Sequence, residues 1–170
     1  LEWAKRSAEQ YPEDYAAHVQ ALERVQPVDL TASEIAVRLG ATWLPPKIVE
    51  QFMFELFSTS NRSRWNIHVH YFQYTGEWNV EGKSYDKGNI KAHNTYGTKR
   101  INGYQIIEET LNLRDVRIYD YETDHHGNRI PVLNKKETAI AQGKQELIKQ
   151  AFQDWIWKDP QRRERLTRLY

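Results

Sequence analysis

The sequence predicts an α+β fold, with helices packed around a small, mostly antiparallel sheet. Apolar residues recur at spacings of three and four near both ends of the chain, which is typical of amphipathic helices. Between them, two pairs of short alternating segments are joined by turns, which predicts two hairpins. The 170 residues, 39% of them hydrophobic, suffice for one core. We expect a single domain over 1–170, with a helical subregion at 1–57, a sheet-containing subregion at 64–133 and C-terminal helices at 134–170.

Three helices are predicted in the helical subregion. The first begins at Pro12, since proline favours the first helical position, and ends near Val25. A capping box over Thr31–Glu34 begins a short second helix, which Gly40 ends in a left-handed conformation. The third begins near Pro46. Its predicted buried face consists of Ile48, Val49, Phe52, Met53 and Leu56.

A first hairpin and a long loop are predicted next. The segment 65–72 alternates apolar and polar residues, Gly76 turns the chain, and 77–81 returns. Its predicted buried face consists of Trp65, Ile67, Val69 and Tyr71. The stretch from Gly82 to Gly103 has no sustained periodicity, and loops of this length are usually functional or mobile.

The rest of the chain predicts a short helix, a second hairpin and two further helices. Asn102 is a cap for a helix over about 103–112. The hairpin pairs 116–121 with 129–133, where Pro131 indicates an edge strand. Asn134 caps the longest helix, and Asp159 and Pro160 begin a basic helix that runs to Tyr170. The predicted inward face of the longest helix consists of Ile140, Leu147, Ile148, Ala151, Phe152, Trp155 and Ile156.

Composition and motifs exclude several classes of protein. The absence of cysteine excludes disulfide scaffolds, thiolate zinc sites and cysteine nucleophiles. No run approaches the ~18 apolar residues of a membrane-spanning helix, and no signal peptide is visible, so we expect a cytoplasmic location without a membrane partner. Phosphate-binding glycine motifs and the Gly-x-Ser-x-Gly motif are also missing. We therefore expect no catalytic residue, cofactor or metal in this chain.

The histidines leave one enzymatic alternative open. His68 and His70 share a strand face, and His125 and His126 follow Asp124 in a predicted turn. Imidazole and carboxylate groups are metal ligands, so a metal-dependent nuclease or hydrolase remains one interpretation of the chain.

Charge is distributed in zones along the chain. The segment 58–105 holds seven basic and three acidic residues, and 135–170 holds nine and five, whereas the remaining segments are net acidic. In 61–105 basic residues interleave with aromatic ones, which is typical of nucleic-acid binding, because cations neutralise phosphates and exposed rings stack on bases. Gly97 would also let the backbone approach a ligand closely. The candidate nucleic-acid-binding residues are Arg62, Arg64, Lys87, Lys91, Tyr96, Lys99 and Arg100.

Several runs of the sequence are similar to those of one family of large proteins. They are Asp29–Ile35, Arg38–Trp43, Tyr96–Thr98, Leu111–Leu113, Val132–Thr138, Ala141–Glu146 and Phe152–Pro160. They resemble an internal block of the adenine-specific DNA methyltransferase and helicase polypeptides of bacterial mobile elements. In that family the block lies between the methylase and a Swi/Snf-like helicase. Because the chain begins with Leu rather than Met, we expect an excised piece of such a polypeptide.

The resemblance implies a role but no catalytic residue. It implies a non-catalytic module that engages DNA and couples the flanking methylase and helicase domains, which would be its partners together with DNA. ATP, Mg²⁺ and S-adenosylmethionine would bind to those other domains. The rival interpretation is a structural spacer or protein-interaction domain without DNA contact.

Overall fold

The computed structural model describes residues 37–169. The predicted helix from Pro12 to Val25 and the predicted capping box at Thr31–Glu34 lie outside the described residues. The segment 37–45 is made of turns and extended chain, and Gly40 has the positive φ predicted for it, 96°. A side chain at Gly40 would also overlap the carbonyl of Leu111, so the close contact as well as the turn requires glycine here.

Helices and hairpins alternate along the described chain, which confirms the α+β class. The elements are α1 (Pro46–Phe57), α2 (Asn61–Arg64), β1 (His68–Phe72), β2 (Glu77–Glu81), a π-helical segment (Lys91–Thr95), α3 (Gly103–Leu111), β3 (Tyr119–Thr123), β4 (Arg129–Leu133), α4 (Lys135–Lys158) and α5 (Pro160–Leu169). The strands form two separate antiparallel pairs, β1 with β2 and β3 with β4, rather than one sheet. None of the helices within 37–169 is long and apolar enough to cross a membrane.

The core lies between α1, α3 and α4, and the first hairpin packs on α1 and α3. Aromatic rings join these helices: Phe52 of α1 meets Phe152 of α4 edge-on, with ring centroids 5.0 Å apart. Phe57 at the end of α1 meets Tyr104 of α3 in the same way at 4.8 Å. All four side chains are buried, and such pairs contribute about 0.5–1.5 kcal/mol beyond the area that they bury.

The first hairpin forms as predicted, except at its start. Ile67 and Val69 are buried on the predicted face, but the prediction for Trp65 is wrong, because its side chain is 81% exposed. The hydroxyl of Ser60 accepts a hydrogen bond from the amide of Ser63 (3.3 Å) and begins the single helical turn α2. This turn ends at Trp65, so the alternation of a strand begins only after it.

Side chains from helices cover both edges of the first hairpin. On the β1 edge, Glu50 Oε2 accepts a hydrogen bond from the amide of Val69 at 3.1 Å. On the β2 edge, the side-chain amide of Asn112 accepts from the amide of Trp78 (2.8 Å) and donates to its carbonyl (2.9 Å). These bonds satisfy backbone groups that would otherwise need another strand.

A ladder of side-chain hydrogen bonds, like those at the edges of the first hairpin, replaces strand pairing at the beginning of the predicted strand 116–121. Val116 and Ile118 are buried, but regular pairing starts only at Tyr119. The amide of Val116 donates to Gln145 Oε1 (3.1 Å), and the amide of Ile118 donates to Thr138 Oγ1 (2.9 Å). Both acceptors belong to α4, so this segment pairs with a helix rather than with a strand.

The same ladder explains which face of α4 is buried. The capping bond from the Glu137 amide to Asn134 is present at 3.0 Å, but the prediction that Ile140 and Leu147 point inward is wrong, because both are exposed. The buried positions are Thr138, Ala141, Gln145, Ile148, Phe152 and Ile156. Two polar residues in this stripe supply the ladder, which places Ile140 and Leu147 on the outer side of the helix.

Candidate nucleic-acid interface

Two loop segments, 58–66 and 82–100, lie side by side in the structure. Ser63 Oγ donates to Asp86 Oδ1 at 3.3 Å. Asn89 Nδ2 donates to the carbonyl of Phe57 at 2.9 Å, and Lys91 Nζ donates to Ser58 Oγ at 2.9 Å. These bonds span 23 to 33 residues of the chain and hold the two segments next to each other. We call the exposed side chains of Arg62, Trp65, Tyr85, Lys87 and Lys91 the basic loop surface.

The carboxylate of Asp86 connects the segment 82–100 to α3 by hydrogen bonds. Its Oδ2 accepts hydrogen bonds from Asn89 Nδ2 and from Tyr104 Oη, both at 2.8 Å. Tyr104 Oη in turn accepts from Thr59 Oγ1 at 2.7 Å. Burial raises the pKa of Tyr104 above its ordinary value, so the phenol keeps its proton and remains a donor. The loop 82–95 is therefore fixed by a buried chain of polar groups.

The cations of the two segments outnumber the carboxylates. Segments 58–66 and 82–100 contain seven Lys and Arg residues, whereas Asp86 is their one acidic residue. Asp86 is half-buried, and its carboxylate oxygens accept hydrogen bonds from other residues of the fold. Arg62, Lys87 and Lys91 are exposed and make no ion pair with any residue of 37–169. Their positive charge is therefore available to a polyanion.

Two large aromatic side chains stand among these cations. The indole of Trp65 is 81% exposed and the phenol ring of Tyr85 is 55% exposed. Within 37–169, neither ring packs on another aromatic ring. Their backbones are held, because Trp65 O accepts from His68 Nε2 (3.0 Å) and the Tyr85 amide donates to Gly82 O (3.0 Å). Rings on an ordered backbone offer flat apolar faces at little entropic cost.

The other predicted site residues are engaged within the fold. Arg64 Nε donates to the carbonyl of Thr59 at 3.0 Å, and its guanidinium lies 5.2 Å from the ring centroid of Phe54. Tyr96 packs against Phe57 with ring centroids 5.9 Å apart. These side chains support the end of α1, where the basic loop surface is anchored.

The predicted pair Lys99 and Arg100 lies at the second hairpin. Arg100 Nη1 donates to Asp120 Oδ1 at 2.7 Å, and Nη2 donates to the carbonyl of Tyr119 at 2.8 Å. Lys99 is exposed beside it. The close approach expected at Gly97 occurs within the fold, because a side chain there would overlap the carbonyl of Ala92. The structure therefore places Arg62, Lys87 and Lys91 on two segments that contact each other, and it places Arg100 in a structural contact.

Trp65 and Tyr85 are among the aromatic residues that interleave with the cations of 61–105, but the predicted site residues do not include them. Trp65 fits the alternation of the following strand, so the pattern assigned it to the core. The pattern Ser60-Asn61, which favours a helix cap, is the feature that could have placed it outside the strand. Tyr85 stands in a loop without periodicity, where nothing in the pattern distinguishes an exposed ring from a buried one.

The histidines do not converge on one site. The rings of His68 and His70 are 6.3 Å apart, and His70 Nε2 lies 2.9 Å from Glu81 Oε2, a hydrogen bond that lowers the pKa of Glu81. His125 and His126 lie in the turn of the second hairpin, where their rings are tilted against each other with centroids 4.1 Å apart. Within residues 37–169 no three His, Asp or Glu side chains are grouped as metal ligands would be.

A groove of about 820 Å³ lies between α3 and the segment 113–121. Its charges are largely paired: Lys83 contacts Glu108 (2.7 Å) and Arg114 contacts Glu109 (3.0 Å). Glu108 Oε2 also accepts from the amide of Val80 at 2.8 Å. These ion pairs hold α3 to its neighbours, and the carboxylates make the groove a poor site for phosphate.

A comparison with protein families gives one match. A family model described as "Domain of unknown function (DUF8437)" matches residues 38–170, which is most of the chain. No curated protein and no solved structure matches the chain at a significant level. The description states no activity, so the function has to be inferred from the site itself.

Proposed function

The chain belongs to the DUF8437 family, and we propose that it is a non-catalytic module that engages DNA through the basic loop surface. One observation carries the proposal: the segments 58–66 and 82–100 carry exposed cations without carboxylate partners within 37–169 together with two exposed aromatic rings, while the carboxylate of their acidic residue accepts hydrogen bonds within the fold. Exposed cations neutralise phosphates, and each phosphate contact releases counterions. Binding of this kind is expected to weaken steeply with salt.

The buried chain of polar groups beneath the surface supports the same role. Tyr104, Asp86 and Thr59 hold the loop in place before any ligand arrives. A loop that is ordered in the free protein loses little conformational entropy on binding. We therefore expect the backbone that carries Lys87 and Lys91 to have the same position in the free protein and in the DNA complex.

The coupling part of the proposal rests on the resemblance and on α4. In a methyltransferase and helicase polypeptide, the module would lie between the two enzymatic domains, and ATP, Mg²⁺ and S-adenosylmethionine would bind to those domains. The 24 residues of α4 span about 36 Å at 1.5 Å per residue. A helix of this length, packed along one face, would transmit a displacement from one domain to the next.

A second candidate function is protein interaction at the second hairpin. Apolar side chains are exposed on β3 and β4, among them Tyr121 (60%), Ile130 (41%) and Leu133 (40%). The hairpin carries three carboxylates and one arginine between Tyr119 and Leu133, a balance that disfavours DNA. A purely structural module would use this surface and would leave the basic loop surface without a ligand.

Salt-dependent DNA binding separates the two candidates. Fluorescence anisotropy with a labelled oligonucleotide, at about 50 and about 200 mM salt, would compare the wild type with Lys87→Ala/Lys91→Ala. A matched control is Lys135→Ala/Lys136→Ala, which removes the same charge from two exposed lysines at the start of α4. We expect the first variant to flatten the slope of log affinity against log salt by ~1.4–1.8, and the control to keep the wild-type slope. Equal behaviour of all three proteins would contradict the proposal.

A further inference from the structure

Within the proposed function, on which this inference rests, we propose that the basic loop surface takes single-stranded rather than duplex DNA, with Trp65 and Tyr85 stacking on unpaired bases. The two rings are exposed in the free protein and have no stacking partner within 37–169. In a duplex the faces of the bases are already covered by neighbouring base pairs. Unpaired bases have free faces, and aromatic side chains bind them with little regard to sequence.

The shape of the surface favours the same ligand. The major groove of duplex DNA is about 12 Å wide and is read by a helix or by a two-stranded ribbon that enters it. The helical elements beside the basic loop surface are α2, with four residues, and the π-helical segment, with five. The two-stranded ribbon of β1 and β2 has its turn at the opposite end, between Phe72 and Glu77. Each of the two helical elements is a single turn, so neither is long enough to enter a groove.

The two rings and the cations lie on two segments that contact each other. Ser63 contacts Asp86, and the backbone of Gly82 approaches the carbonyl of Asn66 so closely that a side chain at Gly82 would overlap it. Trp65 and Tyr85 each lie next to one of these contacts, on adjoining segments. The cations follow on both sides, at Arg62 in α2 and at Lys87 and Lys91 after Tyr85. Bases can therefore meet the rings while the phosphates meet the cations.

Tyr74 provides a matched control within the same hairpin. It is fully exposed (106%) and lies in the turn between Phe72 and Glu77. Trp65 and Tyr85 lie beyond the other end of the same strand pair, because His68 pairs with Glu81 there. The three residues thus share exposure and aromatic character but differ in their position relative to the cations.

The test is a comparison of an oligo-dT of ~20 nucleotides with a duplex of equal length, against the wild type, Trp65→Ala, Trp65→Phe and Tyr74→Ala. We expect the wild type to prefer oligo-dT and Trp65→Ala to weaken that binding by ~5- to ~150-fold, the range of one stacked base. Duplex binding should be unchanged in all variants. Trp65→Phe should restore part of the loss, since it keeps a ring, and Tyr74→Ala should behave like the wild type.

Two outcomes distinguish a preference for single-stranded DNA from DNA binding in general. Salt-dependent binding of both ligands with equal affinity, unaffected by Trp65→Ala, would overturn the single-strand inference and leave the DNA-binding proposal standing. Absence of salt-dependent binding to either ligand would overturn both. Because Trp65 is exposed, its replacement should leave cooperative unfolding intact, and a urea titration of each variant verifies this.

Discussion

The phenol of Tyr104, in the first turn of α3, donates a 2.8 Å hydrogen bond to the carboxylate of Asp86 in the loop 82–95. Tyr104 is buried, and its hydroxyl also accepts from Thr59, which follows α1. One hydroxyl therefore connects two helical segments and the loop that carries Lys87 and Lys91. The order of the basic loop surface depends on this bond.

Tyr104→Phe should destabilise the fold while keeping its packing. The ring remains against Phe57, but Asp86 loses a donor and Thr59 loses an acceptor. Unpaired groups of this kind cost ~1–3 kcal/mol, which urea unfolding would measure. Tyr121→Phe is the control, because that phenol is exposed on β3, and a change below ~0.5 kcal/mol is expected for it. Equal stability of the two variants would contradict the role given to the Tyr104 hydroxyl.

Two glycine substitutions should change stability in opposite directions. A side chain at Gly97 would overlap the carbonyl of Ala92, whereas Gly143 lies within α4 with open space around it. Gly143→Ala should therefore stabilise the fold by ~0.5–1 kcal/mol through helix propensity. Gly97→Ala should destabilise it by ~1–3 kcal/mol, as overpacking does. Thermal unfolding of the two variants tests both signs, and a neutral Gly97→Ala would disprove the close approach.

Gln145→Leu should unpair the segment that precedes β3. Gln145 is 2% exposed, and its side chain bonds to the amide of Val116 (3.1 Å) and the carbonyl of Arg114 (2.8 Å). Leucine fills similar space but leaves these backbone groups without partners, at ~1–3 kcal/mol for each. Gln150→Leu, on the exposed side of the same helix, should cost less than ~0.5 kcal/mol. Faster amide hydrogen exchange at Val116 in the first variant alone would locate the effect.

Arg100→Ala should change how stability depends on pH. The hydrogen bond from Arg100, and secondly that from Asn134, lowers the pKa of Asp120 from its ordinary value of 3.8. A carboxylate whose folded pKa is lowered stabilises the fold above its unfolded pKa and loses this effect as the pH falls through the folded pKa. The stability difference between wild type and Arg100→Ala should thus shrink below pH 3.8. Arg117→Ala, which removes an exposed arginine without an ion pair in 37–169, should show no such pH dependence.

Sequence patterns predicted correctly those helices and strands whose bounds depend on residues close together in the chain. The cap at Asn102 begins α3 as predicted, and the return strands of both hairpins have the predicted bounds. Sequence patterns gave wrong predictions where a side chain forms hydrogen bonds with backbone groups far away in the chain. Thr138 and Gln145 interrupt the apolar stripe of α4 because they pair with the segment before β3, a contact that helical periodicity does not contain.

The candidate site was predictable in its charges but not in its arrangement. Basic residues of 61–105 are visible in the sequence, yet Arg100 is occupied by Asp120 while Lys87 has no such partner within 37–169. Which cation is paired depends on contacts between segments ~20 or more residues apart. The exposure of Trp65 likewise depends on the helical turn before it, which competes with the strand for the same residues.

Amide chemical-shift mapping with oligo-dT would identify the residues that contact DNA. The labelled chain would be titrated at low salt, and the shifted amides compared between the loop segments, the second hairpin and α5. The account predicts shifts concentrated at 60–66 and 82–91, together with the indole N–H of Trp65, and their loss in Lys87→Ala/Lys91→Ala. Shifts confined to 119–133 or 160–169, with the loop segments unchanged, would contradict it.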